Sequence, residues 1–504
     1  MTKMKKHIWL LALGMFLVQS CLEDEGNYDY HELIPIEIDE ASLQPSYRVT
    51  QLNNLVIDPV IKQGTDDSNL SYEWRIAQSY NQPNTETGTV INEVVGNECR
   101  LDYKVTIPPG EYNLILTVSD KHNGVSELLK RTLNIESYAP VGLMVMHGDN
   151  QESDVSILVN NRMVSDVTKD EVKHNVFSTT NGKSLAGAPG MIAYMELARS
   201  VSIMTKGPQG GCRSRGSDLA VLGSYNDLFT EPLKGDACFQ GYEQWGYNNL
   251  LIDDGKLYFT TIADANFVPF GVPCFGMDYY AEPYIGTNKY GYVYGAIYDR
   301  ISRRFLYIPY DRTMTPFKDS SAAAAFNMNN VGLDMMYASM GFNDCWYCLM
   351  KDPADNSKMY VLVCNFMNLY RGDCSVAKYD VSASADMATA NAFDFGNRSE
   401  LLYYATDNEV RQCLYNAGGT SVVRYTLPAD LQSAGYKINY IQVYKNSTHS
   451  NNGRLLYIAL YNPSTGEGKL VECPFVESTG ELVDSDIKVY DGFKRITHLC
   501  FKKY

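Results

Sequence analysis

From residue 140 to the end, the chain repeats one pattern: an apolar strand, a short polar turn, then a second apolar strand. The turns centre on Asp149, Ala198, Asp253, Asp299, Asp352, Asp407 and Asn462, between 46 and 55 residues apart. Leu251-Ile252-Asp253-Asp254-Gly255-Lys256-Leu257-Tyr258-Phe259 is a clear instance, and Ala198-Arg199 is the weakest. A period near 50 residues with paired strands is the spacing of β-propeller blades, each a four-stranded sheet. Seven turns predict seven blades over 139–504. Val141-Gly142-Leu143-Met144-Val145-Met146 opens the region and Ile496-Thr497-His498-Leu499-Cys500-Phe501 closes it. Pairing those two in one blade leaves no open sheet edge. The competing architecture is an irregular array of β-sandwiches.

The preceding region, 35–138, has a different grammar. Tyr72-Glu73-Trp74-Arg75-Ile76 alternates apolar and polar residues, as does the run from Gly110 to Asp120, which ends in the turn His122-Asn123-Gly124. Period-two alternation bounded by Pro, Gly and Asn marks strands with one buried face. A tryptophan on a central strand, opposite a strand that begins with a tyrosine, is typical of a sandwich core. The Tyr-x-Trp and Gly-x-Tyr-x-Leu-x-Leu-x-Val-x-Asp strands resemble a PKD domain, an immunoglobulin-like sandwich, with Trp74 as core and not a sugar platform. The expected fold is therefore all-β: an N-terminal Ig-like (PKD) β-sandwich followed by a seven-bladed β-propeller.

The first twenty residues read as a secretory leader. Lys3, Lys5 and Lys6 precede the apolar run Ile8 to Val18, too short to span a bilayer, and Ser20 precedes Cys21. This arrangement resembles a bacterial lipobox, which implies lipidation of Cys21 and a flexible tether over 21–34. Glu23-Asp24-Glu25 resembles the surface-export signal of Bacteroidota lipoproteins. Display on the outer face of the outer membrane follows as an expectation, with the membrane as a partner through the lipid. From Leu22 to the first sandwich strand is about fourteen residues, at most roughly 50 Å of reach.

Composition narrows the partners. The formal charge is −16, and −19 once the three leader lysines are gone, so a nucleic-acid partner is excluded for want of a basic face. Thirty-eight tyrosines and thirty-eight glycines against four tryptophans suit strands joined by many turns. Eleven cysteines besides Cys21 lie at wide spacing, unlike a disulfide scaffold, and read as small buried apolar residues.

Motifs for chemistry are sparse. His31, His122, His147, His174, His449 and His498 do not pair at metal-ligand spacing. Cys345-Trp346-Tyr347-Cys348 lies in a strand, where positions three apart face opposite sides. Gly207-Pro208-Gln209-Gly210-Gly211 lacks the Gly-Lys-Ser/Thr end of a phosphate loop and reads as a turn. Asp149 to Asp154 and Asp352 to Asn356 are explained by Asx turns, Arg371-Gly372-Asp373 is a chance tripeptide, and no G-x-S-x-G elbow occurs. No cofactor or metal is called for. Paired acids for glycoside cleavage would have to come from different blades.

One segment invites a ligand. Residues 266–290, from Asn266 to Tyr290, form a long connection rich in rings: Phe267, Phe270, Phe275, Tyr279, Tyr280 and Tyr284. Tyr242, Trp245 and Tyr247 stand just upstream. Flat rings in a long loop stack on sugars or pack peptide side chains; the alternative is that they fill a local core. Tyr242, Trp245, Tyr247, Phe270, Phe275, Tyr279, Tyr280 and Tyr284 are the candidate binding residues.

With Gly26-Asn27-Tyr28-Asp29-Tyr30 behind the lipobox, the whole pattern resembles the PKD-like lipoproteins of Bacteroidota. That resemblance implies a non-catalytic accessory binding component of a TonB-dependent nutrient uptake system, partnered by the transporter and its substrate-binding lipoprotein, with an oligosaccharide or oligopeptide ligand. The alternatives are a propeller glycoside hydrolase or polysaccharide lyase, and a structural subunit or adhesin.

Overall fold

The strand Leu455–Tyr461 carries apolar residues at nearly every position, and both of its faces are buried. Leu456, Ile458 and Leu460 pack toward one neighbouring sheet, and Leu455, Tyr457 and Ala459 toward the other. A strand loses its alternation when sheets cover both faces. The same holds around the C-terminal region, and it dictates stacked sheets. In the computed structural model of the chain, residues 35–62, 69–78, 89–165, 167–261, 267–288, 293–309, 311–446 and 449–503 are described. The readings on Cys21, Glu23, Asp24, Glu25, Asn27, Tyr28, Asp29, Tyr30, His31, Asn266 and Tyr290 lie outside the described residues.

Among the described residues, seven antiparallel sheets form a ring. Four of them are complete sequential meanders: blade 2 (from Ala188–Met195 inward to Val221–Ser224 outward), blade 5 (Asp334–Met340 to Ser375–Asp380), blade 6 (Ala392–Phe395 to Thr420–Thr426) and blade 7 (Lys437–Val443 to Lys488–Phe493). Blade 3 has Phe239–Trp245, Asn248–Asp253 and Lys256–Thr261. Blade 4 has Gly295–Asp299, Arg304–Ile308 and Thr315–Pro316, and its inner edge is completed by bridges Gly286 to Ala296 and Ala281 to Asp299. Blade 1 closes the ring as the termini of the region predict. Gly142–Gly148 pairs on one side with Glu152–Val159 and on the other with the final strand Arg495–Lys502, in register Leu143 to Phe501 and Val145 to Leu499. No blade edge is left free at the join.

A separate apolar core lies between each pair of consecutive blades, the seventh between blades 7 and 1. Eight of the eleven described cysteines are buried, and all eleven are free thiols. Cys348 and Cys364 belong to the core between blades 4 and 5, and Cys473 to that between blades 6 and 7. Among the described residues, no helix is long and apolar enough to cross a membrane.

Ahead of the ring, a five-stranded sheet runs Ser46–Thr50, Ser126–Glu136, Gly110–Asp120, Leu70–Gln78, Asn92–Gly96. Two two-stranded sheets, Asn54–Ile57 with Leu101–Lys104 and Glu37–Ile38 with Ile61–Lys62, contribute Ile38, Leu55, Ile57 and Leu101 to the same core. Trp74 faces Leu116 across the ladder at 2% exposure, and its indole N–H donates to the Glu98 and Cys99 carbonyls. The sandwich meets the rim of blade 2 through Gln51 Nε2, which donates to Asp218 Oδ2 at 2.6 Å. Arg215 also holds this carboxylate, donating to Oδ1 at 2.8 Å and to Oδ2 at 2.6 Å.

Two expectations are corrected by the strand order. The Ala198 turn joins the first and second strands of blade 2, whereas Asp149, Asp253, Asp299, Asp352, Asp407 and Asn462 all join second to third. The equivalent turn in blade 2 is Gly207 to Gly210, which uses positive-φ glycines where Asp149, Asp352 and Asn462 use side-chain oxygens that accept turn N–H groups. The aromatic connection is also not a free loop. Its Cys274 N–H bonds to Leu257 O along the outer strand of blade 3, and residues 281–286 form the inner edge of blade 4.

Candidate functional site at the axial mouth

The innermost strands surround the axis of the ring. Side chains there remain part-exposed although they lie at the centre of the molecule, as an open axial space requires: Glu243, Tyr337, Ser339, Tyr440, Lys445 and His498. These residues come from blades 3, 5, 7 and 1, and from the loop that leaves the inner strand of blade 7.

Asp394, on the inner strand of blade 6, organises one side. It is only 3% exposed. Its Oδ1 accepts from Lys445 Nζ at 2.7 Å, Tyr337 OH at 2.9 Å, Ser339 Oγ at 3.2 Å and the Phe395 N–H at 2.9 Å, and its Oδ2 accepts from the Val443 N–H at 2.8 Å. Lys445 also donates to Ser339 Oγ at 3.1 Å and to the Met340 carbonyl at 3.2 Å, so its three protons are all placed. A serine beside a lysine invites a nucleophilic reading. Here Lys445 Nζ is committed to the Asp394 carboxylate, Ser339 Oγ and the Met340 carbonyl, and Ser339 Oγ itself donates to Asp394 Oδ1. Burial and the Asp394 charge together raise the Tyr337 phenol well above its ordinary range, and the same two causes act on Tyr440.

Glu243 and His498 also border the axis, on the inner strands of blades 3 and 1. Burial lowers His498 to about 4, so its ring is neutral at physiological pH. Burial raises the Glu243 carboxyl to about 7, against the pull of the Gln244 N–H and of the more distant Lys445. Glu243 and Trp245 are two apart on the inner strand of blade 3 and so project from one face of it. Trp245 is 39% exposed and Tyr247, just past the Gly246 turn, is 64% exposed.

The eight predicted aromatics therefore separate. Trp245 and Tyr247 stand at the end of an innermost strand, and Tyr284 packs edge-on against Tyr337 at 5.2 Å with its hydroxyl on the Met336 carbonyl. Tyr242, Phe270 and Tyr279 are core side chains at 4%, 0% and 5% exposure and present no face to a ligand. Phe275 and Tyr280 lie at the opposite end of blade 3, beside the Asp254-Gly255 turn. Tyr280 is covered by the Arg300 guanidinium at 3.9 Å and bonds to Asp254 and Gln240, while Phe275 borders an open hollow of about 430 Å³ with Lys256 and Met277. The connection crosses from one face of the ring to the other, which a loop reading does not anticipate.

Sequence reasoning missed Glu243, Asp394, Tyr440 and Lys445 altogether. The signal available was positional: each lies on, or just after, the strand that precedes the two strands flanking an aligned turn. A second polar pocket, about 220 Å³, lies over blade 1 among His147, Asp154, Ser178 and Lys494. His147 Nδ1 accepts the Lys494 N–H, which leaves its Nε2 proton for Ser156 Oγ, so that serine faces a donor and not a base. Among the described residues, no three His, Cys, Asp or Glu side chains converge as metal ligands.

The PKD-like family model matches residues 21–189, which hold the sandwich and four of the five strands of the blade 1 sheet. No curated protein matches the chain. Among solved structures, a quinonprotein alcohol dehydrogenase-like protein from Bacteroides thetaiotaomicron VPI-5482 is similar, with 10% identity and a TM-score of 0.47 over 93% of this chain and 99% of that one. A DUF4784 family protein from Bacteroides caccae ATCC 43185 has 6% identity and a TM-score of 0.27 over 93% and 98%. PorZ, a surface component of the type-IX secretion system of Porphyromonas gingivalis, has 10% identity and a TM-score of 0.26 over 75% and 56%.

Proposed function

We propose that this chain is a lipid-anchored binding protein of the outer-membrane surface, and that it takes an oligosaccharide or oligopeptide at the axial mouth for a TonB-dependent importer. The observation that carries the reading is the pair of exposed rings, Trp245 and Tyr247, beside a part-exposed carboxylate on the same inner strand. Exposed aromatics beside polar groups are what a recognition site needs. The neighbouring Asp394–Lys445 pair favours binding over turnover, because all three Lys445 protons are already used for support. Cys21 and the acidic run after it supply the anchor and the surface address.

The test is calorimetric titration of the full chain with panels of oligosaccharides and oligopeptides. Replacing Trp245 and Tyr247 together by Ala should weaken binding about tenfold or more, since stacking on a ring is worth on the order of 1 kcal/mol or more per contact. Replacing Phe275 and Tyr280 together, at the opposite end of the blade, should leave it unchanged. The reverse pattern moves the site to the other face, and release of product from a polysaccharide panel replaces the binding protein with an enzyme. Cys21→Ala should shift the protein from the membrane fraction to the soluble one.

A further inference from the structure

The axial mouth has a charge balance that selects among ligands. Asp394 and Lys445 neutralise each other at 2.7 Å. Lys445 has no proton left for an incoming anion, because Ser339 and the Met340 carbonyl take the other two. His498 is neutral, its cation being disfavoured by burial. Tyr440 turns its hydroxyl onto Gln442 Oε1 at 2.6 Å. What remains is Glu243. Among the described residues the Gln244 N–H and the Lys445 charge are what favour its ionised form, and Tyr242 and Cys500 sense its charge.

Among the described residues named at the mouth, an anion meets the Glu243 carboxylate, while the Lys445 protons are already taken. A protonated amine meets a counter-ion with spare lone pairs, on the same strand as the exposed Trp245 and next to the hairpin turn that carries the exposed Tyr247. Aromatic faces attract ammonium groups, most strongly those of Trp, and a half-buried carboxylate strengthens that pull because little water screens it. We infer that the mouth binds its ligand through a protonated amine, with Glu243 as the counter-ion and Trp245 and Tyr247 as the flanking rings. This rests on the mouth being the binding site. Two ligand sources share the chemistry: an oligosaccharide of amino sugars with free amines, and a peptide with a free N-terminus or lysine.

The experiment pairs each source with its acetylated twin. The full chain is titrated with glucosamine tetramer and N-acetylglucosamine tetramer, and with trilysine before and after acetylation of its amines. The inference expects the free-amine form of at least one pair to bind, and acetylation or Glu243→Gln to weaken it about tenfold or more, the size of one lost charge-assisted contact. Which pair responds names the source. With trilysine, whose side-chain amines ionise at about 10.4 and stay charged throughout, affinity should also fall as the pH is lowered from roughly 8 to 6, as the Glu243 carboxyl takes up its proton, and that fall should be lost in the Gln variant. Equal binding of free and acetylated forms, or full affinity in Glu243→Gln, overturns the inference. If a neutral oligosaccharide binds in a Trp245-dependent way while amines do not, the inference falls and the binding site stands. If no member of either panel binds, both fall. Melting curves of the Gln variant separate loss of the carboxylate from loss of the fold.

Discussion

At Glu243, the burial that sharpens recognition also costs stability. The carboxyl ionises near 4.5 in an unfolded chain and is raised to about 7 here. Between those values the folded state binds the proton more tightly, so protonation stabilises the fold as pH falls from 7 toward 4.5, and that contribution is lost as pH rises through 7. Glu243→Gln should therefore stabilise the protein at about pH 8 by on the order of 1–3 kcal/mol and change little near pH 5. Urea unfolding at the two pH values reads this directly, and equal destabilisation at both would show that the carboxylate supports the fold instead. Lys445 behaves in the opposite sense. Lys445→Met leaves the 3%-exposed Asp394 without its cation and should cost about 3 kcal/mol by the same assay. None of this was legible from local sequence, because Gly-Tyr-Glu-Gln-Trp reads as an ordinary alternating strand. Asp394 and Lys445 are 51 residues apart and meet only because they belong to adjacent blades.

The second-to-third-strand turns of the blades were legible because the chain solves one geometric problem repeatedly. Asp149, Asp352 and Asn462 each turn a side-chain oxygen onto N–H groups just ahead, which fixes the hairpin between second and third strands. Blade 2 solves it with glycine, and a search for Asp and Asn slips there to the Ala198 turn. Gly210 has φ 67°, and a Cβ on it would lie 2.5 Å from the Tyr225 ring. Gly210→Ala should thus destabilise by about 2 kcal/mol, from both strain and overlap, whereas Gly372→Ala, at an ordinary φ in open space, should stay within about 0.5 kcal/mol. Equal effects in thermal melts would remove the steric argument. The aromatic connection was half legible. Its ring content marked an unusual element, but ring content alone does not distinguish Phe270, sealed at 0% exposure, from Phe275 at 55%. That difference is set by the partner each ring finds: Phe229 and Phe267 surround Phe270, while Phe275 borders the open hollow.

Across the whole molecule, the ring stands or falls on its closing strand. The join was readable because both ends of the repeat are strand-like and each would otherwise leave an edge. Its energetic weight comes from packing, which the sequence does not display. Ile496 and Leu499, at 0% and 2% exposure, sit in the core shared by blades 7 and 1, and the strand they occupy pairs with Gly142–Gly148 along its full length. Removing residues 495–504 would strip blade 1 of its innermost strand, uncover that core and expose the backbone edge of Gly142–Gly148 to other chains. Two buried aliphatic side chains alone are worth about 3–6 kcal/mol, a large share of the stability of an ordinary domain. The truncated chain should elute from size exclusion as aggregate, or melt at least about 10 °C below the intact one. Removing only Lys503 and Tyr504 deletes an exposed ion pair to Glu196 and should change neither measurement, because such pairs contribute about 0–1 kcal/mol. A truncation at 495 that remains monomeric with an unchanged melting point would mean that the seven cores hold the ring without its join.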